Sequence, residues 1–141
     1  MKIKETYPVF VTKQLIASRD FYMMWLNFEV VFESTWFCLL AAQSDVPYHI
    51  AFMSETHPTS PPSIPTIDSK AGVFLTLEVE DSQTAYEKLT KAGVEMYYHL
   101  KAEEWGQKRF GLIDPNGMYI DIVEQIAPAV GYWDRYMPKS R

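Results

Sequence analysis

Two stretches decide the fold: Gly72 to Met96, GVFLTLEVEDSQTAYEKLTKAGVEM, and Trp105 to Ile126, WGQKRFGLIDPNGMYIDIVEQI. From Val73 to Glu80 apolar and polar residues nearly alternate, the period of a strand with one buried face. Asp81 and Ser82 then offer side-chain oxygens to cap a helix, and Ala85, Tyr86, Leu89 and Ala92 recur on one helical stripe. Gly93 closes that helix, because a C-terminal position needs the positive φ that glycine adopts without penalty. Val94 to Tyr98, Gln107 to Ile113 and Met118 to Ile126 read as three further strands. The last two are joined by Asp114-Pro115-Asn116-Gly117, in which proline presets φ and glycine supplies its positive value, so a tight turn is expected.

The same order stands in the front of the chain. Tyr7 to Thr12 is β-branched and aromatic. Between Gln14 and Leu26 the residues Leu15, Ile16, Phe21, Tyr22, Trp25 and Leu26 follow helical spacing, with Ser18 an alternative cap for a shorter helix. Asn27 takes the place that Gly93 has behind. Three strand-like runs follow: Phe28 to Glu33, Trp36 to Ala42 and His49 to Met53. Between the halves, His57 to Ser69 holds four of the nine prolines, which fix φ and remove donors, so it reads as a surface connector. The fold expected is α+β, a repeat of strand, helix and three strands within one domain over 1–141. Module one covers about 5–56, the connector 57–70, module two about 71–126 and an aromatic tail 127–141.

At 141 residues and 48% hydrophobic content the chain can bury a proper core. Aromatic residues make up 15%, and they serve either as core volume or as the wall of an apolar cavity. A formal charge of -5, with basic residues scattered except at Lys139 to Arg141, argues against nucleic acid as a partner. The single cysteine, Cys38, excludes an internal disulfide and reads as a small buried hydrophobe in Trp36 to Leu40. No segment is long and apolar enough to span a membrane, and MKIKETYP has no signal-peptide core, so a soluble cytoplasmic protein is expected.

The two back stretches, with YPVFV and SRDFY in front, resemble the glyoxalase, bleomycin-resistance and extradiol dioxygenase superfamily over Tyr7 to Ile126. The resemblance implies two modules, each a curled sheet with its helix outside, forming a cup around a central cavity. It also implies either a divalent metal that polarises a vicinal oxygen pair on the substrate, or, where the metal is lost, a protein that sequesters aromatic or glycopeptide compounds. Members draw their metal ligands from the first and last strands of each module. Carried onto this sequence, those positions are Tyr7, Ala51, Phe74 and Asp121. Phe and Ala have no lone pair to give, and a phenol must lose a proton of pKa about 10 before it ligates well. No metal and no other cofactor is therefore expected; His49, on the same strand face as Ala51, adds only a partial site.

Alternation sorts the faces. Ile120, Ile122, Leu75, Leu77, Val79, Phe110 and Leu112 should pack under the helices, leaving Tyr119, Asp121, Val123, Phe74, Thr76, Glu78, Gln107 and Arg109 towards the cavity. Arg109 and Asp121 on neighbouring strands would pair, either as part of a binding site or as a purely structural ion pair. Glu78 is either a half-buried general base of raised pKa or an exposed residue at a strand end. Trp36 and Trp105 are placed at the cavity mouth. Candidate ligand contacts are thus Tyr7, Trp36, His49, Phe74, Thr76, Glu78, Trp105, Arg109, Tyr119 and Asp121. The tail rings Tyr132, Trp133 and Tyr136 should cover the domain's own surface or a second subunit, and the resemblance suggests a homodimer. The function favoured is metal-free binding of an apolar or aromatic small molecule. The alternatives are a lyase, isomerase or dioxygenase with an atypical metal set or Glu78 as base, and an interaction module with a collapsed cavity.

Overall fold

A computed structural model describes residues 1–58, 66 and 72–138. Most of the proline-rich connector and the Lys139–Arg141 cluster lie outside the described residues. Among the described residues ten elements follow in order: β1 Val9–Thr12, α1 Leu15–Leu26, β2 Phe28–Glu33, β3 Phe37–Ala42, β4 His49–Ser54, β5 Leu75–Glu78, α2 Ser82–Lys91, β6 Met96–Glu103, β7 Gln107–Ile113 and β8 Tyr119–Gln125. They form two four-stranded sheets with matching orders, β1-β4-β3-β2 and β5-β8-β7-β6. In each sheet the outer pair, β1 with β4 or β5 with β8, is parallel and the others are antiparallel. The fold is the expected α+β repeat of two βαβββ modules.

Helix ends form where the side chains call for them. Asn27 ends α1 at φ 56°, and Gly93 follows α2 at φ 82°. The Asp81 side chain accepts from the Thr84 backbone N–H at 3.0 Å. Ser18 does not start α1; it lies inside the helix, donating to the Gln14 carbonyl at 2.6 Å. Strand bounds moved most at β5, only four residues long, and at β6, which runs on to Glu103.

The chain divides into two compact units, Met1–Gly72 with Asp114–Met118, and Val73–Ile113 with Tyr119–Arg141. In the first, the core centres on Tyr22, wholly buried, with its ring 5.1 Å from Phe52 and 5.6 Å from Phe28. Its hydroxyl donates to Asp114 Oδ2 at 2.9 Å. Asp114 also accepts from the backbone N–H groups of Asn116 and Met118 at 2.8 and 2.9 Å, so the Asp114–Gly117 turn is held from inside. Asn116 donates to Ser18 Oγ at 2.9 Å and Gln14 donates to the Pro115 carbonyl at 2.7 Å. Expected only as a tight turn, this segment is part of the first unit's core: Asp114 and Met118 are buried.

In the second unit α2 packs on β6, β7 and β8. Tyr86 of α2 sets its ring 5.3 Å from Phe110, and Leu89 is buried. Phe110 pairs with Ile122 and Leu112 with Ile120, all four buried, which fixes the apolar face of this sheet. Gly111 pairs with Asp121 on the opposite face.

Candidate functional site

The opposite face of the second sheet is built around that glycine. A Cβ on Gly111 would fall 2.3 Å from Tyr98 Cε1, so only glycine lets the tyrosine ring lie across the strand. The Tyr98 hydroxyl thereby reaches Asp121 Oδ1 and donates to it. Arg109 completes the cluster: its Nη1 faces Asp121 Oδ2 at 3.4 Å and the Tyr98 hydroxyl at 3.3 Å, and its Nη2 faces Glu103 Oε2 at 3.3 Å. The guanidinium also sits 4.8 Å from the ring centres of both Tyr98 and Trp105, a cation–π contact with each. Its Nε–H is buried and has no hydrogen-bond partner among the described residues. Burial pushes the Asp121 carboxyl up to about 6.

Over this cluster opens a cavity of about 320 Å³ lined by Phe74, Tyr97, Tyr98, Arg109, Tyr119, Ile120 and Asp121. Tyr97 and Tyr119 stack with ring centres 4.1 Å apart and planes within 8°, giving the cavity one flat wall. Phe74 is 59% exposed and Tyr97 50%, an unusual cost for two rings unless something covers them.

Alternation therefore brought Phe74, Arg109, Tyr119 and Asp121 together, and five other expectations need correction. Gln107 accepts from Trp105 Nε1 at 2.9 Å and is absent from the cavity lining. Thr76 pairs with Asp121 but does not line the cavity. Glu78 is exposed and accepts from Gln125 Nε2 at 2.7 Å, so it has the surroundings of a strand end and not those of a buried base. Val123, expected to face the cavity, is buried and absent from its lining. Ile120, expected wholly under the helix, is among the lining residues. It is 1% exposed and shares a row with Leu75 and Leu112, between Tyr119 and Asp121 on β8.

The remaining candidates lie elsewhere. Tyr7 is exposed ahead of β1, and His49 Nδ1 lies against the Glu5 carboxylate in the first unit. Trp36 lines a separate apolar groove of about 420 Å³ with Val9, Phe32, Ser34, Phe37 and Met53. Trp105 lines a cavity of about 370 Å³ with Lys101, Ala102, Glu103, Glu104 and Tyr132, and reaches the Asp121 cluster through Arg109. Tyr97 and Tyr98 were missed. The β6–β7 register shifts on both sides of Tyr98, so both neighbours reach one cavity against simple alternation. Gly111 in mid-strand was the readable sign of a close approach.

The family model of the glyoxalase-like domain matches residues 6–127. The chain belongs to this family. Among solved structures, it is similar to a glyoxalase/bleomycin resistance protein/dioxygenase from Nocardioides, at 20% identity and TM-score 0.71, covering 89% of this chain and 85% of that one. A superfamily member from Sphaerobacter thermophilus is 23% identical with TM-score 0.64, covering 87% and 98%. A virulence protein from Salmonella typhimurium is 15% identical with TM-score 0.66, covering 89% and 100%. No curated protein sequence matches significantly. At these identities the structural likeness establishes the fold.

The metal that the glyoxalase-like fold implies does not suit the residues present. Ala51 and Phe74 offer no donor atom, and both oxygens of Asp121 already face Tyr98 and Arg109, the latter a permanent cation that opposes a divalent ion beside it. Among the described residues no three His, Cys, Asp or Glu side chains converge. No helix of the described residues is long and apolar enough to cross a membrane.

Proposed function

We propose that this glyoxalase-like protein binds a planar aromatic or apolar small molecule without a metal, in the cavity over the second sheet. The observation that carries the reading is the set of four rings, Phe74, Tyr97, Tyr98 and Tyr119, around one opening with a guanidinium–carboxylate pair on its floor. Ligand cavities have this composition: apolar walls supply affinity and a few placed polar groups supply orientation. The flat Tyr97–Tyr119 wall suits a stacked ring.

The test uses 1-anilinonaphthalene-8-sulfonate as a planar aromatic probe, followed by its fluorescence. Saturable binding that a chelator leaves unchanged and that Tyr119→Ala weakens about tenfold is the expected result. Binding that needs a divalent ion, or that ignores Tyr119, would overturn it.

A second reading is favoured by Asp121 itself. A carboxyl whose pKa is about 6, beside a phenol, can accept a proton near neutral pH, the requirement for a general base in a lyase or isomerase. Asp121, and not Glu78, is the base of that reading. Turnover whose rate rises with pH around 6 and is lost in Asp121→Asn would select it over simple binding. The protein is further proposed to be a cytoplasmic homodimer; the exposed Val31 and Phe32 of β2 support an interface. A monomer in sedimentation at micromolar concentration would end that part.

A further inference from the structure

The family match stops at residue 127, and the rings beyond it are not loose. Trp133 Nε1 donates to the Trp105 carbonyl at 2.8 Å. The Ala129 N–H donates to the Glu104 carbonyl at 2.8 Å, and the Ile126 N–H to the Gly106 carbonyl at 2.9 Å. Gly106, at φ 107°, lies so close to the departing chain that a Cβ would meet the Ile126 carbonyl oxygen at 3.0 Å and Pro128 at 3.2 Å. Tyr132 brings its ring to 6.5 Å from that of Trp105 and 5.2 Å from Trp133. Two backbone-directed bonds, from Ala129 and Trp133, thus strap the tail to the turn that carries Trp105, and the Ile126 bond fixes the point at which it leaves. The other face of Trp105's environment is Arg109, whose guanidinium is 4.8 Å from the indole centre and whose contacts to Asp121 and Tyr98 are long, 3.3 to 3.4 Å. Contacts of that length do not by themselves fix a side chain as flexible as arginine. The Tyr98 and Trp105 rings against it have to.

We propose that residues 127–138 are a positioning element of the ligand cavity: Trp133, acting through Trp105, holds Arg109 in the orientation that faces Tyr98 and Asp121. The tail thereby sets the polar end of whatever the cavity binds, although no tail residue lines that cavity. Trp133 is a positioning residue, two contacts removed from the ligand. The inference rests on reading the Asp121 cavity as the binding site, but its first test needs no ligand.

The Arg109 guanidinium is followed by nitrogen-15 NMR in the full chain, through the solvent exchange of its buried Nε–H. Trp133→Phe keeps a ring but removes the N–H and part of the indole area; the exchange should quicken about threefold, because Arg109 then drifts. Trp105→Ala should do the same or more, and adding Trp133→Phe to it should change nothing further, since the intermediary is gone. Ala129→Pro, which cuts the strap at an exposed residue, should act in the direction of Trp133→Phe. Probe affinity for 1-anilinonaphthalene-8-sulfonate should fall about threefold in Trp133→Phe. An Arg109 exchange rate indifferent to Trp133 and Ala129, or effects of Trp105 and Trp133 that simply add, would overturn the proposal. A wild-type protein that fails to bind the probe while Trp133→Phe still quickens the Arg109 exchange would sink the binding reading and leave this one standing.

Discussion

The two sheets have one strand order but opposite uses for the same three places. In the first sheet Val9, Ala51 and Leu39 stand side by side across β1, β4 and β3. In the second the equivalent row across β5, β8 and β7 is Thr76, Asp121 and Gly111. One row is apolar and complete in itself. The other carries a buried carboxylate beside a position stripped to hydrogen, and a tyrosine and an arginine come in to satisfy it. A repeated scaffold is therefore no guide to a repeated site: the backbone supplies positions, and the neighbours of each position decide whether charge can live there.

The sharpest way to break the comparison is to move the charge. Ala51→Asp puts a carboxylate at a wholly buried place flanked by Val9 and Leu39, and should cost about 3–5 kcal/mol in urea unfolding. A loss under 1 kcal/mol would mean that the first sheet can house an acid as the second does. Next comes Gly111→Ala, whose methyl must displace the Tyr98 ring; about 1–3 kcal/mol of stability should go, and with it the Tyr98–Asp121 bond.

A smaller effect is expected from pH. The folded-state pKa of Asp121, about 6, lies above the unfolded value near 3.9, so the folded chain holds that proton more tightly. The associated stability is present below about pH 4 and is lost as pH rises through 6. Asp121→Asn should flatten that segment of the profile by about 1 kcal/mol, after allowance for partial solvation; an unaltered slope would assign it to other groups. The least effect belongs to Glu78→Gln. With Glu78 exposed at the end of an edge strand, stability should stay within about 0.5 kcal/mol and probe binding should not change.

Much of this was readable from the residues. Asp81, Asn27 and Gly93 marked helix ends because their side chains, or the lack of one, satisfy local backbone requirements that no distant contact needs to supply. Alternation also put Arg109, Tyr119 and Asp121 on one face, since β7 and β8 keep an unbroken register. It failed at Tyr97 and Tyr98, where bulges void the period of two, and at Thr76 and Glu78, which lie on a four-residue strand paired on one side only among the described residues. The burial of Asp114 was hidden for another reason. A turn sequence specifies its own dihedral angles and says nothing of what lies against it.

That burial has a consequence for how the protein is made. Tyr22 is enclosed with its hydroxyl on Asp114, and Ser18 and Gln14 bond the same turn, so the first unit cannot finish its core from its own continuous stretch of chain. Residues 73–113 must be synthesised before the missing turn exists, which at roughly 5–20 residues per second takes a few seconds on the ribosome. Until then the Tyr22 hydroxyl lacks the Asp114 carboxylate that accepts from it in the folded chain.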